Sequence, residues 1–372
     1  MDALIMSCGT GGGHDSAAKA VLEALTARGH HAVMLDPYTL KSSRLSYRIN
    51  HTYIAAARHT PKTFGVVYRL GNAYRRLPFR SPVYFVNHRM NLTMRDYLAQ
   101  HHFDIVISSH IFPAEILTNM KRHGMTVPPM VFVATDYVCI PFTEETDCDA
   151  FVIPAKDLTD DFRKRGIPPE KLYPLGIPTM RRFAVNETRD EAKKRLGLDP
   201  DKKYILITGG SMGGGKIERA IAHLRAYFAD QEQIRLMIVC GSNQELYDKL
   251  TAQHDPGITV IGYTEDMASL MKASDLFITK PGGLSSTEAA VCGVPILHAS
   301  PIPGCESYNA RYFSERGMSI YGDRTTAILH AVEEILTNES ASAAMVECQK
   351  KHINPSAADD ICDLAEKLVA QR

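Results

Sequence analysis

Ala3-Leu4-Ile5-Met6-Ser7-Cys8-Gly9-Thr10-Gly11-Gly12-Gly13-His14 sets the pattern on which the fold is read. A continuous apolar run stopped by glycines reads as a buried strand and a tight turn. A helix is expected from about residue 15 to 28, because Ala17, Val21, Leu22 and Leu25 fall at helical spacing. The same order returns at Tyr204-Ile205-Leu206-Ile207-Thr208, followed by the glycine loop 209–215 and a helix to about residue 228. Further strands are expected over 31–35, 104–108, 130–135 and 150–154 in the first half. In the second half they are expected over 235–240, 258–262, 276–279, 295–298 and 318–321. Apolar strands alternating with helices imply parallel sheets covered on both faces. The expected class is α/β, with two facing doubly wound (Rossmann-like) parallel-sheet domains. Their expected extents are 1–178 and 179–354, joined near Leu175-Gly176-Ile177-Pro178-Thr179. A last helical stretch, 355–372, is long enough to cross back to the first domain.

Composition narrows the class. The 372 residues suit two or three domains, and 45 % hydrophobic with 23 % charged residues is ordinary for a globular chain. No apolar run approaches the 18 or more residues of a membrane span. The N-terminus lacks a charged leader region and reads as a first strand. Eight scattered cysteines with no C-x-x-C pair argue against a zinc site or a disulfide framework and fit a reducing compartment.

The net charge of zero hides a segregation. Residues 37–100 carry eleven Lys/Arg and one acid, Asp96, a net of +10; the remainder carries −10. Tyr47, Tyr53, Phe64, Tyr68, Tyr74, Phe79, Tyr84 and Phe85 are interleaved with the cations. Such a segment suits an anionic membrane surface, where each Lys/Arg contributes about 1 kcal/mol and apolar side chains sit at headgroup level. Arg69, Arg75, Arg76 and Arg80 are the candidate membrane-binding residues. Pro61 and the Pro78/Pro82 pair are expected to break this stretch into several helices.

Four motifs carry chemistry. The first is the loop 9–14. It misses the G-x-G-x-x-G spacing, since His14 stands where the third glycine belongs, although Asp36 lies near the distance of a ribose-binding acid. His14 at the helix start can take a proton from a substrate hydroxyl. Asp136, at the end of the strand 130–135, can orient His14 or act as a base itself. The second motif, Gly209-Gly210-Ser211-Met212-Gly213-Gly214-Gly215, offers an anion-binding nest, but Lys216 is followed by Ile217, so the Walker pattern fails. The third, Lys280-Pro281-Gly282-Gly283-Leu284-Ser285-Ser286-Thr287-Glu288, puts a carboxylate in the first turns of a helix, where it can accept two ribose hydroxyls. In the fourth, Pro301-Ile302-Pro303-Gly304-Cys305-Glu306-Ser307-Tyr308-Asn309, a turn after a strand places Glu306 and Asn309 for a sugar. Asp147-Cys148-Asp149 reads as turn chemistry rather than a metal–diphosphate site.

Together GTGGGH, GGSMGGG, KPGGLSSTEAAVCGVP and PIPGCESYNA resemble glycosyltransferase family 28. The nearest branch is that of monogalactosyldiacylglycerol synthases and processive diacylglycerol glucosyltransferases. The resemblance covers most of the chain and implies a GT-B fold with a nucleotide-sugar site in the C-terminal domain. It implies a ribose-binding acid at Glu288. The diphosphate loop falls on Gly210, Ser211 and Met212, with Gly282 and Gly283, and the donor-sugar loop on Gly304 and Glu306. The uracil falls near Gly262 and Tyr263, and an acceptor-side base on His14. The implied reaction is an inverting transfer of a hexose from UDP-glucose or UDP-galactose to diacylglycerol or a glycosyl-diacylglycerol. It needs no cofactor or metal and takes place on the cytoplasmic face of the membrane, with the protein bound peripherally to anionic lipids. The readings that compete are a UDP-N-acetylglucosamine transferase acting on another lipid-linked acceptor and a GT-B-fold UDP-N-acetylglucosamine 2-epimerase with no acceptor. A nucleic-acid partner is not expected.

Overall fold

The computed structural model describes residues 1–59, 61–75, 79–209, 217–322 and 324–371. The chain forms two compact units. The first comprises Met1–Arg181, Pro303–Cys305 and Asn354–Arg372; the second comprises Arg182–Ile302 and Glu306–Ile353.

The sheet of the first unit holds β1 (Asp2–Met6), β2 (His31–Leu35), β3 (Ile105–Ser108), β4 (Met130–Val133), β5 (Ala150–Val152) and β6 (Leu172–Tyr173). Their order is β2-β1-β3-β4-β5-β6, with parallel pairing throughout. The second sheet holds β7 (Lys203–Thr208), β8 (Ile234–Val239), β9 (Ile258–Ile261), β10 (Leu276–Thr279), β11 (Ile296–Ala299) and β12 (Ile320–Gly322). Its order is β12-β11-β10-β7-β8-β9, again parallel. β3 and β4 are buried at every position, as strands covered on both faces must be. β6 escapes a sequence reading, because two residues show no periodicity; pairing of Leu172 and Tyr173 with β5 makes it a strand.

Strand alternation splits the first core in two. Leu4, Met6, Val106 and Phe132 face one side, where they meet Ile116 and Leu117 of the helix Ile111–Arg122. Ala3, Ile5, Ile105 and Ile107 face the other, where they meet Val21 and Leu25 of α1 (Gly12–Ala27). Ile361, Cys362, Leu364 and Ala365 of the last helix, Ala357–Ala370, join that second core, so the end of the chain belongs to the first unit. Burying side chains such as Ile361 or Leu364 contributes about 1.5–3 kcal/mol each. Arg28, the residue that ends α1, adds ion pairs to Asp359, Asp363 and Glu366 at a partly exposed surface, where each is worth little.

The basic segment folds into α2 (Ser43–His59), α3 (Pro61–Tyr74), α4 (Pro82–His88) and α5 (Asn91–Gln100). Pro61 and Pro82 stand at the first helical position, where a missing N–H costs nothing. The Ser81 side chain caps α4 by accepting the Tyr84 N–H. Pro78, expected as a break, lies outside the described residues.

Candidate active site

In each sheet the connections reverse direction between two neighbouring strands, and ligands of open α/β sheets bind at that reversal, beyond the strands' C-terminal ends. In the first sheet the reversal lies between β1 and β3. The loop after β1 delivers His14; the turn after β3 delivers Ser109 and His110; the residues after β4 deliver Thr135 and Asp136.

The hydrogen bonds of His14 assign its tautomer. Nδ1 lies 2.9 Å from the carbonyl oxygen of Ser109 and 3.0 Å from Oγ1 of Thr135. A carbonyl only accepts, so Nδ1 carries the proton and Nε2 keeps the lone pair. No described residue hydrogen-bonds to Nε2. His110 packs edge-on to His14, with ring centroids 4.6 Å apart. Its Nδ1 accepts the Phe112 N–H at 3.1 Å, capping the helix Ile111–Arg122, and its Nε2 lies 2.9 Å from Thr10 Oγ1. Burial, with His14 beside it, holds His110 far below the ordinary imidazole range. His110 is therefore a neutral neighbour, and the open ring nitrogen is Nε2 of His14.

His14, Ser109, His110, Thr135 and Asp136 line one pocket of about 230 Å³. The rest of its wall is mostly apolar and includes Val67, Phe132, Val138, Ile140, Phe142 and Phe162, with Tyr68, Thr143 and Cys305 adding polar atoms. This is an oil-lined cavity with a basic imidazole at its polar end. Asp136 is engaged in an interaction of its own. Asp36 does not serve as a ribose acid here. Its carboxylate accepts from Tyr38 N at 3.0 Å and from Ser46 Oγ at 2.5 Å, which ties down the chain after β2. Asp147 pairs with Lys121 and Lys171, and Asp149 accepts the Met130 N–H, so the D-x-D triplet is turn structure.

In the second sheet the reversal lies between β7 and β10. Gly210, Ser211 and Met212, the expected diphosphate loop, lie outside the described residues. Gly282 and Gly283 begin the helix Gly283–Cys292 after β10. Glu288 lies in its second turn and is only 8 % exposed. Burial pushes its carboxyl up to about 8, with Arg182 pulling the other way. The sequence reading treats Glu288 as a carboxylate; in the folded unit it is a neutral acid at pH 7, because burial disfavours the charged form. Asn309, fully buried, donates to the Pro281 carbonyl at 3.0 Å and so ties the helix after β11 to the glycine turn. Glu306 accepts from Lys280 Nζ and from the Ile302 N–H, both at 2.7 Å. Gly304, at φ +128, occupies backbone space that side-chain-bearing residues avoid. Gly262 directly follows β9, and the Tyr263 ring beside it is exposed.

Of the candidate membrane cations, Arg69 and Arg80 are exposed. Arg76 lies outside the described residues. Arg75 departs from the expectation. Its side chain is 6 % exposed and forks onto Glu144, with Nε 2.7 Å from Oε1. That charge is spent inside the first unit, because a bidentate carboxylate compensates a guanidinium taken out of water. Ser109, His110, Thr135 and Lys280 are site residues that the sequence reading missed. A polar residue within two positions of the end of a buried strand was the available signal for all four. What makes them meet the glycine loops is strand order, which a linear reading lacks.

Comparison with known proteins supplies the rest. Residues 14–179 match the family described as monogalactosyldiacylglycerol (MGDG) synthase, and residues 204–361 match the glycosyltransferase family 28 C-terminal domain. The chain is 27 % identical over 342 residues to a processive diacylglycerol beta-glucosyltransferase of Bacillus subtilis, covering 90 % of this chain and 87 % of that one. The protein of the same description from Bacillus licheniformis is 26 % identical over 370 residues, covering 98 % and 94 %. Among solved structures, MurG of Acinetobacter baumannii aligns with a TM-score of 0.64 at 18 % identity, over 98 % of this chain and 99 % of that one. A UDP co-structure of MnaA from S. aureus aligns with a TM-score of 0.65 at 14 % identity, over 97 % and 95 %. At these identities the structural likenesses speak for the fold, which is GT-B.

Proposed function

The chain belongs to glycosyltransferase family 28, in its monogalactosyldiacylglycerol synthase and processive diacylglycerol glucosyltransferase branch, and from that membership we propose that it transfers glucose from UDP-glucose to diacylglycerol. The observation that carries the reading is the first-unit pocket: an apolar wall for hydrocarbon, ending at an imidazole whose free nitrogen is Nε2. A lipid alcohol is the acceptor that uses both features. His14 accepts the hydroxyl proton at Nε2 while the oxygen attacks the anomeric carbon and the sugar–phosphate bond breaks. The Ser109 carbonyl and Thr135 hold the ring so that the resulting imidazolium stays hydrogen-bonded at Nδ1. Glucose is favoured over galactose because the full-length relatives carry that donor in their names. Inversion to a β-glycoside follows from direct attack on an α-linked donor.

In the second unit Glu288 takes the ribose. Gly283, at the start of the helix after β10, offers its backbone N–H to the diphosphate, and Gly210, Ser211 and Met212 are proposed as the rest of the diphosphate loop. Glu306 and Asn309, with Gly304, frame the sugar loop, and Gly262 and Tyr263 border the base. We propose that backbone N–H groups and helix dipoles stabilise the leaving UDP without a metal ion.

Membrane contact is read from unit one. No described helix is long and apolar enough to cross a bilayer. Val66 and Leu70 of α3, together with Phe79 and Phe85, are exposed next to Arg69 and Arg80. An apolar patch rimmed by cations suits an anionic leaflet on the cytoplasmic side. The paired change Arg69→Glu/Arg80→Glu should reduce co-sedimentation with phosphatidylglycerol-containing liposomes several-fold, each reversal removing about 1 kcal/mol or more. Equal sedimentation of variant and parent would remove these two residues from the docking surface.

A thin-layer lipid assay tests the reaction. Protein, diacylglycerol in anionic vesicles and one UDP-sugar at a time are incubated with and without a chelator. A glycolipid formed from UDP-glucose alone, insensitive to the chelator, is the expected result, and repeated addition would appear as further spots. Turnover of UDP-N-acetylglucosamine without any lipid would favour the epimerase chemistry that other proteins of this fold perform.

A further inference from the structure

Phe142 stands out on backbone grounds. Its φ is +73 with ψ near 0, in the left-handed region that a bulky side chain avoids. Strain of this kind persists only where the surroundings hold it, and it gathers at ligand clamps. Here the surroundings do hold it. Cys139 N–H donates to Asp161 Oδ2 at 3.1 Å on one side. On the other, Thr143 Oγ1 donates to the Ile140 carbonyl at 3.0 Å and Glu145 N–H to the Phe142 carbonyl at 3.0 Å. Pro141 precedes it and stiffens the chain further.

The strained turn aims the ring at α3. A Cβ placed on Gly71 would lie 3.5 Å from the tip of the Phe142 ring and 3.4 Å from Cβ of Pro141. The ring also meets Tyr74 edge-on at 6.2 Å. The contact of Phe142 with α3 therefore closes one wall of the pocket described above. Two of the other aromatic lining residues differ. Phe132 and Phe162 are buried in the core and belong to its packing. Phe142, like Tyr68 and Phe112, is only partly buried; it packs on the edge of that core and against α3. The cavity, at about 230 Å³, exceeds the roughly 150 Å³ of apolar cavities that stay dry and take up small hydrocarbons.

We propose that Phe142 is a specificity-determining residue that sets how much of the acceptor's acyl chain the pocket accepts. The proposal deepens the reading of this pocket as an acceptor site and rests on it. A chain that fits gains about fourfold in affinity for each methylene buried. A chain that outgrows the cavity meets the ring and gains nothing from further carbons.

The test measures kcat/KM for dioctanoyl-, dilauroyl- and dipalmitoylglycerol in mixed micelles at saturating UDP-glucose. The full chain is compared with Phe142→Gly, Phe142→Ala and Gly71→Ala. Phe142→Gly suits the positive φ and removes the ring, so it is expected to fold. In the parent, kcat/KM should stop rising along the series. In both Phe142 variants it should keep rising, with the dipalmitoyl-to-dioctanoyl ratio increased at least about tenfold and KM for UDP-glucose unchanged. Gly71→Ala, which pushes a methyl against Pro141 and Phe142, should shift preference towards short chains. An unchanged ratio in folded Phe142→Gly would overturn the proposal. Calorimetric binding of the same diacylglycerols without donor separates the two layers. Chain-length-graded binding that depends on Phe142, without turnover, would sink the transferase reading and leave this inference standing. Turnover with an unaltered chain-length profile would do the reverse.

Discussion

Replacing His14 by alanine is expected to lower kcat at least about 10²-fold, the low end of what a positioned general base contributes. UDP affinity should stay within about twofold, because His14 belongs to the first unit, whereas Glu288, the residue proposed to hold the ribose, belongs to the second. The argument rests on the tautomer. The Ser109 carbonyl 2.9 Å from Nδ1 compels a proton there, which leaves Nε2 as the only basic nitrogen of the ring. Thr135→Val should cost less than His14→Ala. It removes one of two contacts at Nδ1 and leaves the carbonyl, which alone holds the tautomer. A milder loss in kcat, with KM for UDP-glucose unchanged, would mark Thr135 as a positioning residue. Full activity in His14→Ala would assign the base elsewhere, with Asp136 the next candidate at the same pocket.

Glu288 carries the second large effect. At pH 7 a carboxyl pushed up to about 8 is a neutral acid, able to donate one hydrogen bond and accept another. Glu288→Ala should weaken UDP binding by about tenfold or more, the worth of a buried hydrogen-bonded pair. Glu288→Gln keeps a donor and an acceptor in the same place and should stay within about threefold at pH 7. Equal losses for both variants, measured by calorimetry, would mean that the group binds as a carboxylate.

The same burial predicts a stability signature. In the unfolded chain Glu288 ionises near its ordinary value of 4.5, whereas in the folded unit it holds its proton up to about 8. Between those values the native state binds the extra proton, so its stability falls as pH rises and levels off above about 8. Glu288→Gln should therefore gain stability over the parent progressively from pH 5 to pH 8, by on the order of 3–4 kcal/mol at the upper end. A gain that does not depend on pH would show that the carboxyl ionises normally in the fold.

Much of the architecture is legible in the linear chain because its signals are local. The runs Ala3–Cys8 and Tyr204–Thr208 are apolar, end in glycines and precede helical spacing, and each became a central strand. Pro61 and Pro82 mark helix starts because a proline costs nothing at the first position. The motifs after β10 and β11 announce a sugar-nucleotide site through the family they resemble. Strand ends were less legible. The runs 130–135 and 150–154 end earlier as strands, at Val133 and Val152.

Charge was where the linear reading went furthest astray. Eleven cations in one segment look alike on paper, yet Arg75 is neutralised by Glu144, a residue 69 positions away. The raised pKa of the Glu288 carboxyl was hidden from the linear reading for a related reason, since burial is a property of the fold and not of the residue.

By itself, then, the amino-acid order determined the two repeated strand–glycine–helix units, the segregation of charge and the family, all of which are written in spacing and composition. Only the tertiary structure decided that His14 meets Ser109 and Thr135, that Glu288 is a neutral acid, that Arg75 faces inward and that Phe142 closes an apolar pocket against Gly71. Each of these depends on strand order or on removal from water, and both arise when residues far apart in the chain are packed together.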